Sequence, residues 1–129
     1  MLRTKSILAP KGDYDRIRIS IMSRHTLRDG ITPDKRIDEN SYDEWLREFA
    51  PPLKLIGDYY KRNLPWEKFE ERYLDHLKFI YDKVKKLSET ALKKDITLLC
   101  IKESSEKCHR RLLAEECKRI KRELEILVK

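Results

Sequence analysis

Residues Ile96-Thr97-Leu98-Leu99-Cys100-Ile101 form a run of strand length without apolar–polar alternation. A strand with one wet face alternates with a period of two. This one is therefore expected to be buried on both faces, in the middle of a sheet covered by other elements. The segments on either side have helical spacing. Upstream, Trp66, Phe69, Tyr73, Leu77, Ile80, Val84 and Leu87 recur by threes and fours, behind a proline, Pro65, placed as in a first helical turn. A break near residues 77–80 can divide that stripe in two. Downstream, Leu113, Cys117, Ile120, Leu124 and Leu127 predict an amphipathic helix packed on the sheet.

Further out the pattern changes. Arg3 to Leu8 reads as a first strand, stopped by Pro10, Gly12 and Asp13. Arg16 to Met22 alternates, with Ile17, Ile19 and Ile21 on one face and Arg16, Arg18 and Ser20 on a polar one. From Ser23 to Asn40 no period survives, and an irregular connection of this length is usually functional or mobile. Ser41 with Glu44 has the form of a capping box, and Tyr42, Trp45, Leu46 and Phe49 then predict a helix ended by Pro51-Pro52. Leu53 to Lys61 predicts another. The order implies one α/β domain over residues 1–129. It is three-layer-like, with a short, partly parallel sheet and about four to six helices.

The chain has 129 residues, 40% of them apolar, which suits one domain with a core. No run approaches the ~20 apolar residues of a membrane span, and the first residues lack an apolar leader, so a soluble cytoplasmic protein is expected. Three cysteines cannot all pair within one chain, which argues against a secreted disulfide scaffold. The net charge is +7, and it is uneven. Residues 1–37 carry nine basic and four acidic side chains, residues 38–92 ten and twelve, and residues 93–129 eleven and seven. The positive excess lies at the two ends. If these meet in space they favour an anionic ligand; the competing reading is a solvated face rich in Lys and Glu.

Chemistry concentrates after the central strand. A polar loop, Glu103–Lys107, leads to Cys108-His109-Arg110-Arg111 at the start of the last helix. Ligands in open α/β sheets bind beyond the carboxyl ends of strands, and a helix start presents free N–H groups to anions. A cysteine there has a depressed pKa, further lowered by His and Arg neighbours, and can act as a nucleophile. His109 is the candidate acid or base beside it, and Arg110 or Arg111 the candidate clamp on a carboxylate or phosphate. Two arginines in a first turn oppose the helix dipole, a local conflict of the kind found at functional positions.

A second cluster, Arg24 and His25, stands where the Arg16–Met22 strand ends. If that strand neighbours ITLLCI in parallel, both clusters share one crevice. No metal site is expected. Cys108 and Cys117 fall on opposite faces of one helix, Cys100 lies within the buried strand, and no recognised ligand spacing occurs. His76, on the helical block, is given no role.

Three segments carry a family resemblance: RIRISIMSRHTLRDGITPD (16–34), YDEWLREFAPPLKLIGDYYKRNLPWEKFEERYLDHL (42–77) and ITLLCIKESSEKCHRRLLAEECKRI (96–120). They resemble family 488 of the domains of unknown function, over roughly Ser20 to Ile120. The resemblance implies a compact α/β domain of bacteria and archaea. It points to Arg24, His25, Cys108, His109 and Arg110, which match the family's recurring motifs. It does not supply a substrate. No cofactor is expected.

The leading expectation is therefore a small-anion site for phosphate, nucleotide or carboxylate, with Arg24, His25 and Arg110 binding. If the protein is an enzyme, the expected reaction is transfer or hydrolysis, with Cys108 or His109 attacking or relaying a proton. The alternative is a nucleic-acid-binding module using basic surface, including Lys118, Arg119, Lys121 and Arg122. Glu115, Glu116, Glu123 and Glu125 interrupt that surface. A third reading makes Trp45, Tyr59, Tyr60 and Trp66 a protein-interaction surface. The sequence does not indicate an oligomeric state.

Overall fold

The computed structural model describes residues 1–129. Five parallel strands form one sheet in the order β3-β2-β4-β1-β5. In chain order these are β1 (Leu2–Ser6), β2 (Ile17–Ser20), β3 (Glu44–Trp45), β4 (Ile96–Cys100) and β5 (Ile126–Leu127). The helices are α1 (Leu53–Lys61), α2 (Trp66–Phe79), α3 (Tyr81–Lys93) and α4 (His109–Ile120), with a 3-10 turn at Arg47–Phe49. The sheet is thus wholly parallel, where the sequence predicted a partly parallel one.

β4 is central and every one of its residues is buried, as its unbroken apolar run requires. β2 is its parallel neighbour, with Ile19 opposite Leu98 and Ser20 opposite Leu99. On one face Leu2, Ile19, Ile96 and Leu98 meet residues from all four helices, among them Leu55, Tyr73, Val84 and Leu113. The stripe from Trp66 to Leu87 does divide, at Ile80, into α2 and α3.

The opposite face is covered by irregular chain rather than helices. Arg18 and Ser20, expected on a polar strand face, are buried beneath it. Arg18 Nη1 donates to Asp15 Oδ2 at 2.6 Å and its Nε donates to the Ser41 carbonyl at 3.0 Å. Thr97 Oγ1 donates to the Asp15 carbonyl at 2.9 Å. Polar strand residues here serve as anchors for loops whose backbone groups need partners once water is excluded.

Several boundaries differ from the sequence expectation: β1 is Leu2–Ser6 rather than Arg3 to Leu8, and β2 ends at Ser20 rather than Met22. Arg16 has φ +53°, a left-handed conformation outside the strand region, so β2 begins at Ile17. No helix starts at Ser41. The Asp43 carboxylate instead accepts the Arg18 backbone N–H at 2.8 Å, and Leu46 N–H donates to the Ser20 carbonyl at 3.0 Å, drawing Glu44–Trp45 onto the sheet edge. The last helix stops at Ile120. Ile126, beyond it, pairs with Leu2, so the apolar residues near the end belong to a helix and then an edge strand.

Candidate functional site

β2 and β4 both end where α4 begins, and a pocket of about 110 Å³ opens there. Met22, Ser23 and Arg24 line it from the segment after β2, and Cys100, Ile101, Lys102 and Lys107 from the segment after β4. Tyr59 and Tyr60 of α1 and Trp66 and Phe69 of α2 form an aromatic wall. The Trp66 and Phe69 rings stack at 5.1 Å between centroids. Cys108 and His109 lie at the base, both buried.

Cys108 caps the first turn of α4 in an extended conformation, its side chain making no bond to the helix N–H groups. Its sulfur is free to face other partners. Arg110 Nη1 donates to it at 3.3 Å. A hydrogen bond from the Cys100 thiol, the His109 ring and the Arg110 charge together hold the Cys108 thiol well below its ordinary pKa, against burial, which raises it. Cys100 is pushed the other way, by its hydrogen bond to Cys108 and then by burial. The pair is asymmetric, with the surroundings favouring the thiolate form at Cys108 and the protonated thiol at Cys100. His109 Nε2 lies 2.8 Å from the Ile21 carbonyl and must donate to it, which leaves Nδ1, 3.7 Å from Cys100 Sγ, to face the sulfurs.

Arg110 is completely buried. Besides Cys108 Sγ, its guanidinium donates to the carbonyls of Lys102 (2.8 Å), Glu103 (3.1 Å) and Lys129 (3.2 and 2.9 Å). All five N–H groups of the fork are thereby engaged. Arg111 holds the same loop from the other side, through the Ser105 and Glu106 carbonyls, and reaches Glu115 Oε1 at 2.8 Å. The conflict with the helix dipole is thus met by loop carbonyls. Arg110 fixes the loop and supports the sulfur; it does not project into the pocket.

The other expected residues divide. Arg24 lines the pocket and is exposed, with Nη1 3.1 Å from the Gly30 carbonyl. Gly30 has φ +71°, and a Cβ there would come within 2.8 Å of that nitrogen. His25 does not line the pocket. Its ring stacks on Trp45 at 3.9 Å and its Nε2 is hydrogen-bonded with Ser20 Oγ at 2.7 Å. Burial, then the nearby Arg47 charge, lowers its pKa and favours the neutral ring. His76 bonds to the Glu48 carbonyl, at a distance from the site.

Cys100 and Lys102 are site residues that the sequence reading missed. Cys100 reads as one more residue of a buried strand, although its place at the strand's carboxyl end was the available signal. Lys102 Nζ lies 5.2, 5.6 and 5.9 Å from the ring centroids of Tyr59, Tyr60 and Trp66 and donates to the Lys107 carbonyl. Burial lowers its pKa. The ammonium over three ring faces ties the cationic loop to the aromatic wall.

Cys100, Cys108 and His109 also place their ligand-type atoms within 4.8 Å of one another. That convergence was not foreseen from Cys100's place in a buried strand. A tetrahedral zinc with two sulfurs and one nitrogen needs edges of about 3.6–3.8 Å. Here the Arg110 cation already balances the Cys108 sulfur, so the trio is better described as an arginine-supported dithiol.

The family model of DUF488-N3a, described as the active DUF488-N3 subclade, matches residues 2–120. The chain belongs to the DUF488 family. The match takes in both strand-exit segments and all of α4, so the whole pocket lies within the DUF488 domain. A search of the curated proteins and a search of the solved structures each found no match. No helix is long and apolar enough to cross a membrane.

Proposed function

We propose that the pocket binds a small anionic molecule bearing a phosphate or carboxylate, a nucleotide among them, and that Cys108 attacks it in a transfer or hydrolysis reaction. One observation carries this reading. The Cys108 sulfur sits at the positive start of α4, 3.3 Å from a buried guanidinium, facing a pocket lined by Arg24, Lys102 and Lys107. The surrounding cations suit an anion, and the aromatic wall suits a planar group attached to it. In the reaction the Cys108 thiolate forms a bond to the electrophilic phosphorus or carbonyl carbon, and the leaving group departs with the bonding pair. An acceptor or water then displaces the sulfur. His109, pinned on Ile21, stands beside the sulfurs with its Nδ1 3.7 Å from Cys100 Sγ, placed to relay a proton.

The basic surface of α4 and the turn after it gives the nucleic-acid alternative less support, because two of its four cations, Lys118 and Arg119, are engaged locally. Lys118 Nζ donates to the Arg122 and Leu124 carbonyls, and Arg119 pairs with Glu116.

The test is protection. The fully reduced protein is treated with iodoacetamide at neutral pH, and Cys108 modification is followed by peptide mass spectrometry against rising inorganic phosphate or adenosine monophosphate. Saturable slowing is expected for at least one of them. Equal rates at all concentrations of both would overturn the anion reading.

A further inference from the structure

We propose that Cys100 and Cys108 are a peroxide-reactive dithiol, in which Cys108 is oxidised first and Cys100 closes it into a disulfide, giving the site a second, hydroperoxide-reducing activity. This rests on the reading of Cys108 as a thiolate, and takes it beyond anion chemistry.

The sulfurs and the His109 ring nitrogen lie within 4.8 Å of one another. Both cysteines line the pocket, yet Cys108 is only 2% exposed. A large substrate reaches such a sulfur with one functional group at most, whereas hydrogen peroxide is little larger than water and enters whole. Arg110 Nη1 at 3.3 Å stabilises the sulfur as an anion, the form that attacks peroxide. The third cysteine offers a contrast. Cys117 is buried in the apolar core between α4 and its neighbours, and burial raises its thiol to about 11.

The chemistry balances. The Cys108 thiolate attacks one peroxide oxygen, an S–O bond forms and the O–O bond breaks. The departing hydroxide takes a proton from solvent and leaves as water, with Cys108 now a sulfenic acid. Cys100 then passes its thiol proton to His109 Nδ1, 3.7 Å away, and its sulfur attacks the Cys108 sulfur. The S–S bond forms, the S–O bond breaks, and hydroxide recovers the proton from His109 as a second water. One peroxide is reduced and two thiols are oxidised. Closure brings the sulfurs to the ordinary bond length of about 2.05 Å. The disulfide withdraws the thiolate from the pocket, so oxidation also silences the anion site until a thiol reductant reopens it.

The experiment treats the reduced chain with stoichiometric hydrogen peroxide, quenches with iodoacetamide and maps the peptides. The expected product is one intramolecular Cys100–Cys108 disulfide, reversed by dithiothreitol, with Cys117 left reduced. C100S is expected to stop at a Cys108 sulfenic acid captured by dimedone, and C117A to behave as the wild type. Oxidation of Cys108 to sulfinic acid with Cys100 still free would overturn the proposal, as would full recovery of both thiols after peroxide. The two readings fail separately. If Cys108 alkylates rapidly at neutral pH but no disulfide forms, only the dithiol falls. If Cys108 resists both reagents, the thiolate falls with it.

Discussion

The Arg110 guanidinium donates to the Cys108 sulfur from 3.3 Å while its other N–H groups hold the backbone oxygens of Lys102, Glu103 and Lys129. One side chain thereby fixes the loop that builds the pocket, the edge segment at Lys129 and the charge state of the candidate nucleophile. Because it is wholly buried, its removal leaves several carbonyls and an anion unpaired. R110A is expected to lose about 3–5 kcal/mol of stability, as for other broken buried charge networks. R110K, which keeps the charge but not the planar fork, is expected to retain part of the stability and to raise the Cys108 pKa. Urea unfolding and the pH dependence of alkylation read the two effects independently.

His25 sits in a packed cluster outside the pocket, between Trp45, Tyr42 and Ser20. H25A is expected to cost about 1 kcal/mol through the lost stack and hydrogen bond, and to leave phosphate protection of Cys108 unchanged. Loss of protection at full folding would restore His25 as a ligand-binding residue.

How much of this was readable from sequence depends on the kind of signal. The central strand was legible because burial on both faces leaves an unbroken apolar run, and α4 because its stripe begins right after Cys108-His109. The edge elements were not. Two-residue strands such as Glu44–Trp45 have no period of their own, and the bond between Asp43 and the Arg18 backbone that sets them in place spans 25 residues. In the site, Cys108 and His109 announced themselves by position. Cys100 looked like core, and Arg110 looked like an anion clamp because sequence shows a guanidinium's charge but not whether its donors are already engaged.

Lys102 joins the loop to the aromatic wall and contributes positive charge to the pocket. K102Q is expected to weaken phosphate protection of Cys108 by about tenfold, on the order of one charge interaction in a partly buried site. A wild-type protection curve in this variant would remove Lys102 from the anion site.

Asp15 lies beneath the sheet against Lys5 Nζ at 2.7 Å and Arg18 Nη1 at 2.6 Å. Burial raises its pKa, but the bonds from Lys5, the Gly12 backbone and Arg18 outweigh that, and the carboxyl stays below its ordinary value. A depressed acid contributes stability that is complete above its unfolded pKa, about 3.9, and is lost as pH falls through the folded value. D15N is expected to cost about 3–5 kcal/mol at neutral pH, by leaving two cations without their partner, and to flatten the acid limb of the stability curve. Unfolding midpoints between neutral pH and the acid range measure both.

The state of the Cys108 sulfur is the point on which the functional account turns, and the rate of its alkylation by iodoacetamide as a function of pH measures it directly. The account predicts a rate already near its plateau at neutral pH, with a midpoint well below the free-thiol value of about 8.5. A midpoint at or above about 8.5, with Cys108 no faster than an ordinary thiol, would contradict it.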